Sequence, residues 1–202
     1  MINKDAGIPF HSAGLTEKLR HQLAVQAVYP VHRLDSMTSG VLLLALNKKS
    51  ARELSLQLSN NEMRKNYVAI GANRPKKKQG MIRGDMQKRR NGAWILKKTA
   101  ENPAVTRFFS RSFSPGLRVY LVKPQSGKTH QIRVALKAIG APILGDTLYG
   151  KEPSDRGYLH SLSLRFHLGT QEYRFRALPR QGAFFTSRQF RDTLEAFGEL
   201  EN

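Results

Sequence analysis

Short apolar segments bounded by turn-forming residues recur along the chain, and their length and composition favour β-strands. Ser114, Pro115 and Gly116 separate two of these segments, which is the pattern of a β-hairpin. The first residues, before a turn at Gly7 and Pro9, are typical of the end of one more short strand. We predict the remaining strands over residues 40–46, 67–71, 94–96, 105–113, 117–122, 159–168 and 173–178.

Apolar residues at helical spacing are less frequent than strand-like segments. We predict helices over residues 48–59, 130–139 and 187–197, and a helical turn that carries Leu15, Leu19 and Leu23. Asn47 and Thr129 are the expected N-caps of the first two helices, and Gly140 is placed to end the second. The residues expected to face the core are Ala51, Leu54, Leu58, Ile132, Leu136, Ile139, Phe190, Leu194 and Phe197. Because strands outnumber helices and rarely alternate with them, we expect an α+β fold, with a largely antiparallel mixed sheet and flanking helices.

The charge of the chain is strongly positive and unevenly distributed. Its 34 lysines and arginines against 15 acidic residues give a formal net charge of +19, which points to a polyanionic partner. Nucleic acid is the simplest such partner, and an anionic membrane is the competing one. Between residues 64 and 98, twelve basic residues face one acid, Asp85. This region is either a phosphate-binding surface or a solvated basic face.

Several functional classes are excluded by what the sequence lacks. There is no cysteine, so disulfides and thiolate metal sites are excluded. No apolar run approaches the ~20 residues that a transmembrane helix needs. The first residues lack the apolar segment of a signal peptide. We therefore expect a cytoplasmic protein that makes no use of a membrane.

Two further motifs lack a residue at the spacing that their function needs. Gly127, Lys128 and Thr129 precede a predicted helix as in a phosphate-binding P-loop, but that loop needs a glycine where this chain has Val122. Among the six histidines, none has a histidine partner three to five residues further on, so we expect no metal site. The histidines are expected to form structural hydrogen bonds instead.

Asp35 is the candidate reactive group. It lies beside His32 and Arg33 in a loop that runs into an apolar strand, and such loops hold reactive side chains on a rigid element. Asp35 could equally form an Asx-turn with the serine and threonine that follow it. A lone carboxylate also lacks the second acid that glycoside hydrolysis normally needs. From the residues alone, a catalytic and a structural role both remain open.

The segment His32-Arg33-Leu34-Asp35-Ser36-Met37-Thr38-Ser39-Gly40 resembles the His-Arg-Leu-Asp-x-x-Thr-Ser-Gly signature of RluA-type RNA pseudouridine synthases. Further blocks similar to those of this family follow in the same order, at residues 64–69, 126–134, 141–150 and 159–161. The Gly-Lys-Thr of the failed P-loop belongs to one of these blocks. The resemblance covers nearly the whole chain.

The resemblance implies the pseudouridine synthase fold with a central RNA-binding cleft. Members of the family convert uridine in RNA to its C-glycoside isomer without a cofactor. The N1–C1′ bond breaks, the uracil turns while bound, and C5 bonds to C1′. We therefore expect a monomeric isomerase that acts on ribosomal or transfer RNA.

The resemblance also assigns roles to particular residues. Asp35 is the implied catalytic carboxylate, Arg133 its ion-pair partner, and Tyr67 the ring that stacks on the target uracil. The residues implied to contact RNA are Arg33, Arg64, Lys65 and Leu159, with Arg33 in the gap left by the flipped base and Leu159 under that base. Structural alternatives stay open: a core position for Tyr67 or Leu159, a phosphate contact or surface position for Arg133, and a salt bridge for Arg33. Asp146 is expected to cap a turn.

The sequence departs from the family pattern at its start. Asp5 stands where proline is usual, and the first strand looks shortened. We expect one catalytic domain over residues 1–202 with no S4-type RNA-binding domain before it. These departures leave a second hypothesis, a catalytically inactive RNA-binding protein of the same fold.

Overall fold

The computed structural model describes residues 1–10, 13–72 and 74–198, within which twelve strands and four helices occur. The strands are β1 (Ile2–Lys4), β2 (Tyr29–Pro30), β3 (Ser39–Leu42), β4 (Leu44–Ala45), β5 (Arg64–Ala72), β6 (Gln79–Gly84), β7 (Met86–Lys88), β8 (Trp94–Leu96), β9 (Ala104–Ser114), β10 (Leu117–Pro124), β11 (Leu159–Leu168) and β12 (Gln171–Arg176). The helices are α1 (Ala13–Gln22), α2 (Lys48–Ser59), α3 (Gln131–Ala138) and α4 (Arg188–Glu195). No helix in these ranges is long and apolar enough to cross a membrane.

Eight of the strands form one sheet, in the order β1-β3-β11-β5-β10-β9-β6, with β12 also paired to β11. All its pairings are antiparallel except that of β3 with β11, which is parallel. Two small antiparallel sheets, β2–β4 and β7–β8, complete the strand pairing within the described residues. The expected α+β class with a largely antiparallel mixed sheet is therefore confirmed.

The start of β11 lies against the start of β3, and a glycine makes this contact possible. Gly40 is paired with Ser161 and has a φ of 110°. A Cβ at position 40 would lie 2.2 Å from the Ser161 carbonyl oxygen. Only glycine combines this φ with so close an approach of two backbones. The loop before β3, which contains Asp35, is thereby fixed beside β11.

The helices divide between the two faces of the main sheet. Successive side chains of β5 point to opposite faces, so Lys65 and Tyr67 share one face while Arg64 and Asn66 share the other. Helix α3 lies on the Tyr67 face, where Gln131 Nε2 donates to Thr106 Oγ1 over 3.0 Å. Helix α4 lies on the opposite face, where its buried Phe190 joins the main core. Helix α2 covers the far end of the Tyr67 face through Leu54, in a second core cluster with Leu164.

Most of the predicted helix ends are confirmed. Asn47 caps α2 by accepting from Ser50 N over 2.8 Å, and Gly140 follows α3 with a φ of 79°. The prediction of Thr129 as the cap of α3 is wrong. The cap position is His130, which has a left-handed backbone and makes no capping bond with its side chain.

The helical turn expected to carry Leu15, Leu19 and Leu23 is helix α1, which ends at Gln22, so that Leu23 lies just beyond it and is 51% exposed. One further expectation is wrong. The strand expected over residues 40–46 is interrupted at Leu43, where the chain leaves the main sheet and β4 pairs with β2. The Leu43 amide donates to His32 Nε2 over 3.0 Å at this break.

Candidate active site

Asp35 lines a pocket of about 120 Å³ on the Tyr67 face of the sheet. This Asp35 pocket contains six of the seven predicted site residues: Arg33, Asp35, Lys65, Tyr67, Arg133 and Leu159. The turn that carries Asp35 is closed by the backbone, since Thr38 N donates to the Asp35 carbonyl over 3.0 Å. The carboxylate itself is 20% exposed and contacts Arg133. The Asp35 side chain is therefore directed into the pocket.

Arg133 bridges two carboxylates. Its Nη1 donates to Asp35 Oδ2 over 3.1 Å, which is the ion pair predicted from the sequence. Its Nε and Nη2 donate to the two oxygens of Asp146 over 2.7 and 2.8 Å, in a bidentate fork. A guanidinium fixed at both edges has little freedom to rotate. Arg133 therefore holds the Asp35 carboxylate in one orientation.

Asp146 supports this arrangement from the protein interior. Its side chain is fully buried, and Oδ1 also accepts from the amides of Leu148 and Tyr149 over 3.0 and 3.1 Å. The expected turn-capping role is therefore present, but sequence reasoning missed that the same carboxylate anchors Arg133. Burial acts to lower the pKa of Arg133, yet the hydrogen bonds and charges of Asp146 and Asp35 raise it above its usual value. The guanidinium thus stays charged.

His130 is a further group near Asp35 that sequence reasoning did not place in the site. Its Nε2 lies 3.9 Å from Asp35 Oδ2, and its Nδ1 lies 2.8 Å from the Tyr149 hydroxyl. That hydroxyl also accepts from the Trp94 amide over 2.8 Å. Burial is the main cause that lowers the pKa of His130, opposed by the charge of Asp35. The available signal was its position three residues before Arg133, which places both at the start of one helix.

Tyr67 and Leu159 form an apolar surface beside Asp35. Tyr67 pairs with Ser161 across β5 and β11, and Leu159 pairs with Ala69, so all four lie on one face of the sheet. Tyr67 is 9% exposed, and its hydroxyl is hydrogen-bonded to Ser161. Burial raises the pKa of Tyr67 to about 12, so the phenol is protonated at neutral pH. The ring therefore offers the pocket an apolar surface and a neutral hydroxyl.

The three predicted basic contacts are placed differently. Arg33 is exposed at the pocket mouth, whereas Lys65 is buried and donates from Nζ to the Ser126 carbonyl over 3.3 Å. Burial lowers the pKa of Lys65. Arg64 is not in the Asp35 pocket, because strand alternation turns its side chain to the opposite face, where it lines a second pocket. That Arg64 and Lys65 contact RNA stays a prediction, but the two side chains line pockets on opposite faces of the sheet.

The histidines expected to be structural include two with clear hydrogen-bonding roles. His32 Nε2 accepts from the Leu43 amide, and burial lowers its pKa to about 4. His160 lies between the Ser39 hydroxyl, 2.8 Å away, and the Ala177 carbonyl, 2.7 Å away, and burial lowers its pKa to about 4 as well. Within the described residues, no three histidine, aspartate or glutamate side chains form a group that could hold a metal ion.

The chain is similar to known proteins over most of its length. Residues 1–138 match the family model described as RNA pseudouridylate synthase. An uncharacterized RNA pseudouridine synthase from Haemophilus influenzae is 51% identical over 191 residues, which cover 92% of this chain and 85% of that relative. The chain is also similar in structure to human RNA pseudouridylate synthase domain containing 4, with a TM-score of 0.75 at 22% identity, over 91% of this chain and 85% of the other.

Two relatives with more specific names are each 33% identical. One is the ribosomal large subunit pseudouridine synthase C of Haemophilus ducreyi, matched over 89% of this chain and 62% of its own length. The other is the tRNA pseudouridine synthase C of Pasteurella multocida, matched over 84% of this chain and 76% of its own length. The family model covers more than half of the chain, and the Haemophilus influenzae relative is matched over most of its length. The chain belongs to the RNA pseudouridylate synthase family, the isomerases whose RluA-type signature surrounds Asp35.

Proposed function

We propose that this protein isomerises uridine to pseudouridine in ribosomal or transfer RNA, with Asp35 as the catalytic carboxylate. The observation that carries this proposal is the fixed Asp35 carboxylate, held by Arg133 at the edge of a pocket lined by Tyr67 and Leu159. The names of the two relatives at 33% identity support ribosomal and transfer RNA as the substrate classes.

The chemistry needs one ionised carboxylate near the sugar. In one route Asp35 adds to C1′ as the N1–C1′ bond breaks, and the ester formed is displaced when C5 attacks C1′. In the other route Asp35 removes a proton from C2′ to give a glycal, and the proton returns to C2′ when C5 bonds to C1′. In both, N1 gains a proton and C5 loses one, so the product is an isomer of the substrate. Either route needs the charged oxygen that Arg133 orients.

The target base must leave its stack to reach this carboxylate. Flipping a nucleotide out of a helix costs a few kcal/mol, and stacking within the pocket offsets part of that cost. Tyr67 supplies the aromatic ring and Leu159 the apolar surface beside it. Arg33 is exposed and lines the pocket, and we propose that it occupies the gap that the base leaves. Because the Tyr67 phenol is protonated at neutral pH, we propose that a water molecule beside its hydroxyl accepts the C5 proton.

The positive charge of the chain supports binding of the RNA backbone. The excess of lysines and arginines over acids gives the net charge of +19, and phosphate contacts are the simplest use of such an excess. We further propose that the protein acts as a monomer in the cytoplasm, where these RNAs are modified. Light scattering of the purified protein, alone and with RNA, tests the oligomeric state.

The deciding experiment is pseudouridine mapping of total RNA from cells with and without the gene. We expect at least one uridine to lose its modification when the gene is deleted, and to regain it with the wild-type gene but not with Asp35→Asn. The matched control is Asp192→Asn, which makes the same change at an exposed carboxylate on α4 that is 66% exposed. If no position changes on deletion, an inactive RNA-binding protein becomes the better account.

A further inference from the structure

Four arginines surround a pocket of about 170 Å³ on the sheet face opposite to Asp35. Strands β5, β11 and β12 lie side by side there, and their register sets six polar side chains in two rows. The first row is Arg64, Arg165 and Arg174, and the second is Asn66, Ser163 and Arg176. We call this site the arginine pocket.

A bulge in β11 creates these rows. The register of β11 against β5 shifts between Ser161 and Ser163, so that Ser161 pairs with Tyr67 and Ser163 with Asn66. One extra residue in β11 turns Ser163 to the face opposite to Ser161. Asn66 Nδ2 then donates to Ser163 Oγ over 3.0 Å, which gives the pocket a polar floor. From there outward, the arginines of β11 and β12 align with Arg64.

The charge along the first row of the arginine pocket is poorly balanced. Like charges directly opposite on neighbouring strands repel, and here three arginines are abreast. Glu172 is the nearby carboxylate: its Oε2 accepts from Arg174 Nε over 2.7 Å, and its Oε1 lies 2.8 Å from Arg165 Nε. The Nε–H of Arg165 is nevertheless buried without an aligned hydrogen bond. No carboxylate lines the pocket itself within the described residues.

The arginines suit an anion such as a phosphate group, and RNA phosphates are the anions that the proposed substrate supplies. Guanidinium groups bind phosphate oxygens in a bidentate fork, and several of them around a small polar floor can satisfy a tetrahedral anion. Because Glu172 contacts two guanidiniums at their Nε edges, it restricts their rotation before a ligand arrives. Such pre-organisation lowers the entropy lost on binding.

We propose that the arginine pocket binds backbone phosphates of the same RNA whose uridine enters the Asp35 pocket. This inference rests on the proposed function for the identity of the RNA. The same stretch of β5 lines both pockets, with Lys65 and Tyr67 on one face and Arg64 and Asn66 on the other. The thickness of the sheet therefore separates the two pockets, and Arg64 lies about 10 Å from Tyr67 along the strand. An RNA that extends past the target nucleotide can reach the second pocket around the end of β5. The arginine pocket would then select RNAs by shape on the far side of the sheet.

The test is the salt dependence of RNA binding by the double variant Arg64→Gln/Arg174→Gln, which removes two arginines that line the pocket. Deproteinised ribosomal RNA and bulk transfer RNA are the probes, and the dissociation constant is measured between 50 and 300 mM KCl, a range set by the ~10 Å screening length near 0.1 M. We expect the slope of log K against log salt to become shallower by about 1 to 2 for at least one probe, because each lost phosphate contact removes about 0.9. The control is Arg52→Gln/Arg188→Gln, which removes the same charge from exposed positions on α2 and α4 and should leave the slope unchanged.

A second variant separates charge from geometry. Arg174→Lys keeps the positive charge but loses the planar fork, so we expect its slope to match the wild type while its affinity falls two- to fivefold. Thermal unfolding of each variant shows whether the fold is retained. If both double variants give the same slope with both RNAs, the pocket does not bind RNA phosphate and the proposal is overturned. Pseudouridine formation by the wild type is measured in parallel, so that failure of the proposed reaction is seen independently of the slope.

Discussion

The Asp35 pocket and the arginine pocket lie on opposite faces of β5 and hold positive charge in different ways. In the first, one buried guanidinium, Arg133, is shared by the carboxylates of Asp35 and Asp146. In the second, three arginines lie side by side on β5, β11 and β12, and Glu172 contacts two of them. A cation enclosed by carboxylates has no charge left for a ligand, and its effect is to position its neighbours. Cations in excess of their partners attract an anion.

Buried histidines show what happens to a basic group whose neighbours are neutral. His160 is fully buried and bonded to a hydroxyl and a carbonyl rather than to a carboxylate. Burial therefore lowers its pKa to about 4, and the ring is neutral at pH 7. The Arg133 guanidinium thus keeps its charge between two carboxylates, whereas the His160 imidazole between neutral groups is uncharged. The following predictions test this difference, from the largest expected effect to the smallest.

Among variants of the groups that surround Asp35, Arg133→Ala should give the largest effect, because it frees Asp35 and leaves Asp146 buried without its partner. We expect the single-turnover rate to fall by about 10²- to 10³-fold through loss of orientation. We expect the free energy of unfolding to fall by about 3–5 kcal/mol, because removing one partner of a buried ion pair leaves the other charge buried and unpaired. The measurements are pseudouridine formation at saturating RNA and urea unfolding. A variant with wild-type rate would show that Arg133 does not position the catalytic group.

Asp146→Asn tests the anchor without changing its size. The amide can still accept from Leu148 and Tyr149, but it cannot bind Arg133 as a charged fork. We expect the rate to fall by about 10-fold or more while RNA affinity stays within twofold, because a misplaced group affects the reaction more than binding. The charge-matched control is Asp155→Asn, which lies away from Arg133 and binds Tyr158. Equal loss of rate in the control would contradict a specific anchoring role.

Acid should destabilise the protein through its neutral histidines. The pKa of His160 is near 4 in the folded protein and about 6.5 in an unfolded chain, so between these values the unfolded state binds more protons. Stability is therefore present above pH 6.5 and is lost as the pH falls toward 4. The expected loss is about 3 kcal/mol for one such group. Urea unfolding of His160→Gln should show a flatter pH dependence than the wild type in this window, and identical curves would contradict the assignment.

Substitutions at two adjacent residues of β5 should have the smallest effects, and they compare the two pockets within one strand. Arg64→Gln removes a charge from the arginine pocket, whereas Lys65→Gln removes an amine that donates to Ser126 beside the Asp35 pocket. We expect Arg64→Gln to make the salt slope of RNA binding shallower by about 0.9. Lys65→Gln should act mainly on the single-turnover rate, by about threefold or more. Both variants are measured by salt titration of RNA binding and by single-turnover rate. If Lys65→Gln changed the slope and Arg64→Gln changed the rate, the assignment of the two residues to different pockets would be refuted.

Much of the fold could be predicted from local patterns. The hairpin of β9 and β10, the Asn47 cap and the buried face of α4 follow from turn residues, capping chemistry and helical spacing. Local patterns failed at Thr129, where the chain makes a left-handed turn at His130 before α3 begins. They also failed at Leu43, since the switch from the main sheet to β2 depends on a distant strand.

The sites were predicted unequally for a related reason. The resemblance to a known family brought Asp35, Tyr67 and Arg133 into view, and the structure brings all three to one pocket. The arginine pocket could not be predicted, because Arg64 and Arg165 come together only through pairing of β5 with β11 and the bulge after Ser161. The anchoring role of Asp146 was not predicted, because the sequence does not show that its carboxylate lies beside Arg133.

We propose that Asp35 performs the chemistry and that Arg133 only orients it. This division of roles can be measured by single-turnover release of tritium from RNA labelled at C5 of uridine, with RNA saturating for each protein. We expect steady release by the wild type and by Asp192→Asn. Release by Asp35→Asn should be at least about 10³-fold slower at similar RNA affinity, because an amide can neither add to C1′ nor remove a proton. Release by Asp35→Asn within tenfold of the wild-type rate would contradict the catalytic role of Asp35.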